Sequence, residues 1–159
     1  CIELNSLSKA FNMPGWRIGM AASNSRFIEW VLRVKSNMDS GMFRPMQKAA
    51  VAALMDNSEE WHEKHNIDIY RKRRNAAEEI MRYLGCKYDK NQVGMFLWGK
   101  IPEKYKSGEE LADKILYDAR VFITPGFIFG SRGERYIRIS LCAKEDKLTE
   151  ALERIKRNM

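Results

Sequence analysis

Lys9 stands in the stretch "ELNSLSKAFNMPGWRIG", with Ser6 and Ser8 just before it and Gly15, Arg17 and Gly19 within ten positions after it. A lysine amine condenses with aldehydes, provided that desolvation or neighbouring positive charge leaves it partly deprotonated. Arg17 brings such a charge, and its planar fork suits a phosphate. Ser6 and Ser8 add hydroxyl donors, and the two glycines permit a tight turn and close backbone approach. Together these side chains suit an aldehyde that also carries a phosphate, and pyridoxal phosphate is such a molecule.

A second arginine stands out by register. In "RYIRISL" the apolar Ile137, Ile139 and Leu141 alternate with Tyr136, Arg138 and Ser140, so Arg138 is expected on the face away from the core, free to meet a ligand. Arg44, in the break "NMDSGMFRPMQ", stands where the next helix opens. The weaker signals point to structure. His62 and His65 in "WHEKH" are three apart, lack the HExxH spacing and have no third ligand, so no metal is expected. Gly126, Gly130 and Gly133 precede a strand rather than a helix and read as a loop, not a phosphate cradle. Trp30, Trp61, Phe96 and Trp98 read as core residues.

The elements that must hold these groups follow from periodicity. The opening segment reads as strand, loop, strand, with a short buried strand over Ile18–Ala22. Phe27, Ile28, Val31 and Leu32 mark a helix over Ser25–Met38, and Pro45 suits the first turn of the next. "DNSEE", with Asn57 as N-cap and Glu60 three later, opens a long helix whose apolar stripe runs through Trp61, Ile69, Ala76, Ile80 and Leu84 to a stop at Gly85. At 1.5 Å per residue such a helix is about 40 Å long, enough to pass between domains. Beyond it, "GMFLWGKI", "RVFITP" and "RYIRISL" read as strands. Ser107 and Glu110 form a capping box for a helix carrying Leu111, Ile115 and Leu116, and a last helix runs from Glu145 to Arg157.

Composition narrows the class. The chain has 159 residues, 45% hydrophobic and 31% charged, which suits one globular domain or one plus part of another. No apolar run is long enough to span a bilayer, so no membrane partner is expected. Cys1, Cys86 and Cys142 are scattered and odd in number, which argues against a zinc site or a disulfide framework and for a cytoplasmic setting. The net charge is +7, but the densest run, Arg71 to Arg74, is followed by Glu78 and Glu79 at helical spacing. It reads as a solvated helix face rather than a nucleic-acid patch. The chain opens as if a strand were already under way, which suggests a piece of a longer protein.

"SLSKAFNMPGWRIG" resembles the lysine signature of class I/II aminotransferases, S-x-S-K-(five)-G-x-R-x-G, with Ser6, Ser8, Lys9, Gly15, Arg17 and Gly19 in register. "GMFLWGKIPE", "VFITPGFIFG" and "YIRISLCA" are similar to the small domain of that family, in the same order. The resemblance implies a fold-type I, pyridoxal-phosphate-dependent enzyme, aspartate-aminotransferase-like, of α/β to α+β class. Residues 1–61 would be the C-terminal tail of the large cofactor-binding domain and residues 62–159 the small α+β domain. It further implies that Lys9 carries the cofactor and moves the substrate's proton, that Arg17 and Ser6 (Ser8 less so) grip its phosphate, and that Arg138 holds the substrate α-carboxylate. Arg44 would reach an active site across a homodimer and read an acidic substrate side chain there. The substrates would be an amino acid, with aspartate the first guess, and a 2-oxo acid. A carbon–sulfur β-lyase and the sensor domain of a transcription regulator are the alternatives. The family's upstream cofactor contacts are not in this sequence, so the chain alone is expected to be inactive.

Overall fold

The computed structural model describes residues 1–56 and 58–159; the expected cap Asn57 lies outside the described residues. The chain divides into two compact units, Cys1–Asp68 and Ile69–Met159.

In the first unit, β1 (Glu3–Ser6) and β2 (Gly19–Ala22) pair antiparallel, with Ser6 opposite Gly19 and Glu3 opposite Ala22. The connection is not a plain loop. It contains one helical turn, α1 (Leu7–Ala10), and a 3-10 turn at Pro14–Trp16. The Ser6 hydroxyl starts α1 by accepting from the Ser8 N–H at 3.2 Å, an N-cap that favours helix over strand. The expected buried strand is also corrected. Ile18 is buried, but β2 itself is exposed along its length.

Helices follow: α2 (Ser25–Met38), capped by Asn24 on the Phe27 N–H, α3 (Arg44–Met55), with Pro45 in its first turn, and α4 (Glu59–His62), capped by Ser58. The expected long helix does not run on as a regular α-helix. A π-helical turn, Glu63–Ile67, separates α4 from α5 (Asp68–Tyr83). Leu7, Phe11 and Ile18 form a small buried cluster backed by Met46, Ala50 and Trp61.

The second unit takes most of α5 and a three-stranded antiparallel sheet in the order β3 (Phe96–Lys100), β5 (Tyr136–Ser140), β4 (Thr124–Pro125). Only Thr124 and Pro125 of the expected "RVFITP" strand pair with β5. One face of the sheet (Leu97, Ile137, Ile139) joins Ile80 and Met81 of α5, Leu111 and Ile115 of α6 (Gly108–Ala119), and Leu148 and Ile155 of α7 (Glu145–Asn158) in a single core. α6 starts as expected: the Glu110 N–H donates to the Ser107 hydroxyl at 3.1 Å. The Glu110 carboxylate reaches back to the Lys106 N–H at 2.6 Å, one residue before the cap.

The basic run is not simply a solvated face. Arg73 donates to the Leu141 carbonyl at 3.2 Å. Arg74 pairs with Glu78 at 2.9 Å, as its spacing predicts, and also donates to the carbonyls of Lys90 and Gln92. Gln92 in turn bonds both the N–H and the C=O of Trp98 through its side chain, closing part of the open edge of β3. Among the described residues no helix is long and apolar enough to cross a membrane.

Candidate active site

Leu7 and Phe11 are four apart and both buried, so α1 turns that face into the first unit's cluster. Lys9, midway between them, is exposed on the other side, and among the described residues nothing pairs with its ammonium. The Ser6 hydroxyl lies 3.0 Å from the Ser8 hydroxyl and 3.3 Å from the Ile18 carbonyl. Its one proton serves one of these acceptors at a time, and the proton of Ser8 is left for an acceptor outside the chain.

Arg17 immediately precedes Ile18, whose carbonyl also takes the Leu7 N–H, so the strand pair ties both ends of the motif together. Arg17 sits in the left-handed region, at φ 53°, with one guanidinium nitrogen on the Pro14 carbonyl at 3.0 Å. Gly19 is dictated by proximity: a Cβ there would lie 2.9 Å from the Asn5 carbonyl oxygen. An ammonium, a guanidinium and two hydroxyls, with no carboxylate bonded to any of them among the described residues, form a donor set that fits a dianionic phosphate next to an aldehyde. The residues present therefore fit pyridoxal phosphate. An apolar concavity of about 440 Å³ opens beside the motif against Leu7, Ala10, Phe11, Ala50 and Leu54, but Lys9 does not line it.

In the second unit, β5 pairs Arg138 with Trp98 of β3 and with Thr124 of β4. The Arg138 guanidinium carbon lies 4.1 Å from the ring centroid of Phe96 and 4.1 Å from that of Phe129. The Arg138 Nε is buried without a hydrogen-bond partner. Rings on both faces of a guanidinium leave its edge as the route for an acceptor, and an unpaired buried donor is costly until one arrives. A carboxylate accepting two parallel hydrogen bonds is the natural match. Phe96 is thus corrected from core residue to arginine clamp; its parity with Trp98 along β3 is the signal that places it on this face.

Phe129 carried no such signal. It ends a 3-10 turn, Gly126–Phe129, that is followed by another, Ser131–Gly133. These turns cross backbone to backbone: a Cβ on Gly126 would lie 2.3 Å from the Gly133 oxygen, and one on Gly133 would lie 2.1 Å from the Gly126 oxygen.

The remaining candidates are less engaged. Arg44 is exposed as the first residue of α3, with no hydrogen bond or ion pair to the lysine motif among the described residues; α3 reaches that cluster through Met46. His62 and His65 flank Trp61, with ring centroids 5.1 and 5.0 Å away. Among the described residues no three metal-type ligands gather. Trp30 is corrected from core to half-exposed, with Arg26 over its ring.

The family described as "Aminotransferase class I and II" matches residues 1–155. LL-diaminopimelate aminotransferase of Halothermothrix orenii is 42% identical over 158 residues, 98% of this chain and 39% of the relative. The Aquifex aeolicus protein of that name is 42% identical over 155 residues, with the same coverage. Among solved structures, apo-BacF from Bacillus subtilis superposes with a TM-score of 0.82 at 36% identity, over 98% of this chain and 41% of its own. An aromatic aminotransferase from Pyrococcus horikoshii gives 0.82 at 30% identity, over 98% and 42%. The chain thus spans about two fifths of the length of the relatives it matches. The family works with pyridoxal 5′-phosphate. With its lysine motif in register and a family match over nearly its whole length, the chain belongs to the class I and II aminotransferases.

Proposed function

We propose that the whole protein containing this chain transfers an amino group between an amino acid and a 2-oxo acid. The observation that carries this reading is the exposed Lys9, set by α1 opposite the buried Leu7 and Phe11, in a motif whose Ser6, Ser8 and Arg17 offer donors with no carboxylate on them among the described residues. Bound pyridoxal phosphate supplies the electron sink that makes the substrate α-proton removable. Lys9 would hold the cofactor until the substrate amine displaces it, and its freed Nζ would then take the substrate α-proton, hold it and deliver it to the cofactor side, acting as base and acid in turn. Arg17 and Ser6 hold the phosphate, with Ser8 adding a donor. Arg138 takes the substrate α-carboxylate on its free edge.

The amino donor we propose is of the diaminopimelate type, as the names of the curated relatives suggest. The aspartate donor expected from Arg44 draws no support from these names. No feature among the described residues favours the lyase or sensor-domain readings. By the order of its motifs, the chain would supply the C-terminal end of the large domain (residues 1–61) and the small α+β domain (62–159). A cytoplasmic homodimer, with Arg44 offered across its interface, completes the proposal, and the chain alone would be inactive.

Borohydride reduction of the intact protein with pyridoxal phosphate should fix the cofactor on Lys9, read by peptide mass spectrometry, and Lys9→Ala should abolish the label. A label on another lysine defeats the reading. A donor screen with 2-oxoglutarate as acceptor should rank LL-diaminopimelate above aspartate.

A further inference from the structure

We infer that Asn66 is a positioning residue for Lys9, acting as a cap delivered from the π-helical turn; this rests on the proposed role of Lys9. α1 is a single turn, and its last carbonyls have no intrahelical partners. The Lys9 carbonyl is satisfied by the Asn12 N–H at 3.4 Å. The Ala10 carbonyl, next in the chain, receives no backbone N–H; it accepts instead from the Asn66 side-chain Nδ2 at 2.6 Å. A carbonyl only accepts, so the amide is oriented with its nitrogen toward Ala10 and its oxygen away.

Two unfavourable features coincide at this residue. Asn66 lies inside the π-turn Glu63–Ile67, a rare geometry that tends to occur at functional sites. Its Oδ1 is buried with no hydrogen-bond partner among the described residues. An apolar residue at 66 would remove that orphan, and a regular α-turn would remove the irregularity. Retaining both is understandable if the bond to Ala10 matters more than local stability.

Neighbouring side chains serve the same end. Phe11, next after Ala10, stacks at 5.7 Å on Trp61 and 5.4 Å on His62 of α4. The segment leaving Lys9 is therefore held by the helix that enters the π-turn, through rings on one side and an amide on the other. Holding the backbone on the C-terminal side of Lys9 fixes where its amine can reach.

Three variants of the intact protein test this. Asn66→Leu and Asn66→Asp cannot donate to the Ala10 carbonyl, whereas Asn66→Gln retains a donor amide. Amide hydrogen exchange over Leu7–Phe11, read on protein without cofactor, should accelerate about tenfold in the Leu and Asp variants and return toward wild type in Gln. In the loaded enzyme, kcat should fall about tenfold to a hundredfold with KM within threefold, because a misplaced catalytic group slows the chemical step. Borohydride should still fix the cofactor on Lys9, so a loss of labelling points to failure of the lysine assignment instead. Unchanged local exchange in the Leu and Asp variants overturns the inference. So does a uniform rise in exchange across the first unit, or a Gln variant no better than Leu.

Discussion

The Arg138 guanidinium carbon and the Phe129 ring centroid are 4.1 Å apart, although Phe129 belongs to a 3-10 turn and Arg138 to the middle strand of the sheet. With Phe96 at the same distance on the other side, the cation is held in a slot between two rings. Trp98 packs edge-on against Phe129 at 5.3 Å and steadies the outer wall. In the role proposed for Arg138, the guanidinium is oriented before a carboxylate arrives, which would reduce the ordering cost of binding.

Phe129→Ala in the intact protein should raise KM for the amino donor by about 2- to 30-fold, the equivalent of one lost cation–π contact of about 0.5–2 kcal/mol. Arg138→Lys should cost more, about a hundredfold in kcat/KM, because an ammonium lacks the planar fork and stacks poorly. Steady-state kinetics with thermal melting as control reads both. Wild-type KM in Phe129→Ala removes the slot from the mechanism.

Gly19→Ala should destabilise the β1–β2 pair by about 1–3 kcal/mol, since the new methyl would meet the Asn5 carbonyl oxygen at 2.9 Å. Gly15→Ala is the internal control, for a Cβ there meets nothing within 4 Å. Hydrogen exchange at the Leu7 and Ser8 amides distinguishes them, and equal effects of the two substitutions would refute the close-approach argument.

The lysine motif, the Ser107 cap and the face of Arg138 were legible in the sequence because each depends on a short local pattern of residue types or on two-residue alternation. The helical turn at Lys9 was not: the segment reads as strand, loop, strand, and the turn shows only once the Ser6 hydroxyl is seen to take the Ser8 N–H. What stayed hidden depends on distant segments. Asn66 reads as an ordinary helix-surface residue until the fold brings it to Ala10. Phe129 reads as a loop residue until paired turns place it over β5. The exposure of β2 stayed hidden too: Ile18–Ala22 is apolar enough for burial, yet of this segment only Ile18 is buried.

Ser107→Ala should cost about 1 kcal/mol by leaving the Glu110 N–H without its acceptor. For a unit of this size that is a fall of about 4–8 °C in Tm, measured by calorimetry. Ser107→Asp, which restores an acceptor, should recover most of it, and no difference between the two variants would deny the cap its role.

Burial pushes the Cys86 thiol up to about 12, from an ordinary value of 9.0. A raised folded value favours the folded state while the thiol stays protonated in both states. That advantage is complete below pH 9 and is lost between pH 9 and 12, as the unfolded thiol ionises first, at up to about 1.4 kcal/mol per pH unit. Tyr70 and Tyr88, each raised mainly by desolvation, push in the same direction. The stability read from denaturant melts should fall more steeply with pH across this range in wild type than in Cys86→Ala. In native protein, Cys1 and Cys142 should react with a thiol reagent at once and Cys86 only on unfolding, as their exposures require. Rapid reaction of all three would contradict the burial.

The touching backbones of Gly126 and Gly133 bear on how this part of the chain tolerates changes in length. Surface connections ordinarily accept added or deleted residues, but here the two ends of the segment are fastened to each other and Phe129 rides between them. Lengthening it by a single residue would swing the aromatic ring off its arginine while leaving the hydrophobic interior untouched. Alleles carrying such an insertion would yield abundant, well-folded protein without the carboxylate grip proposed for Arg138.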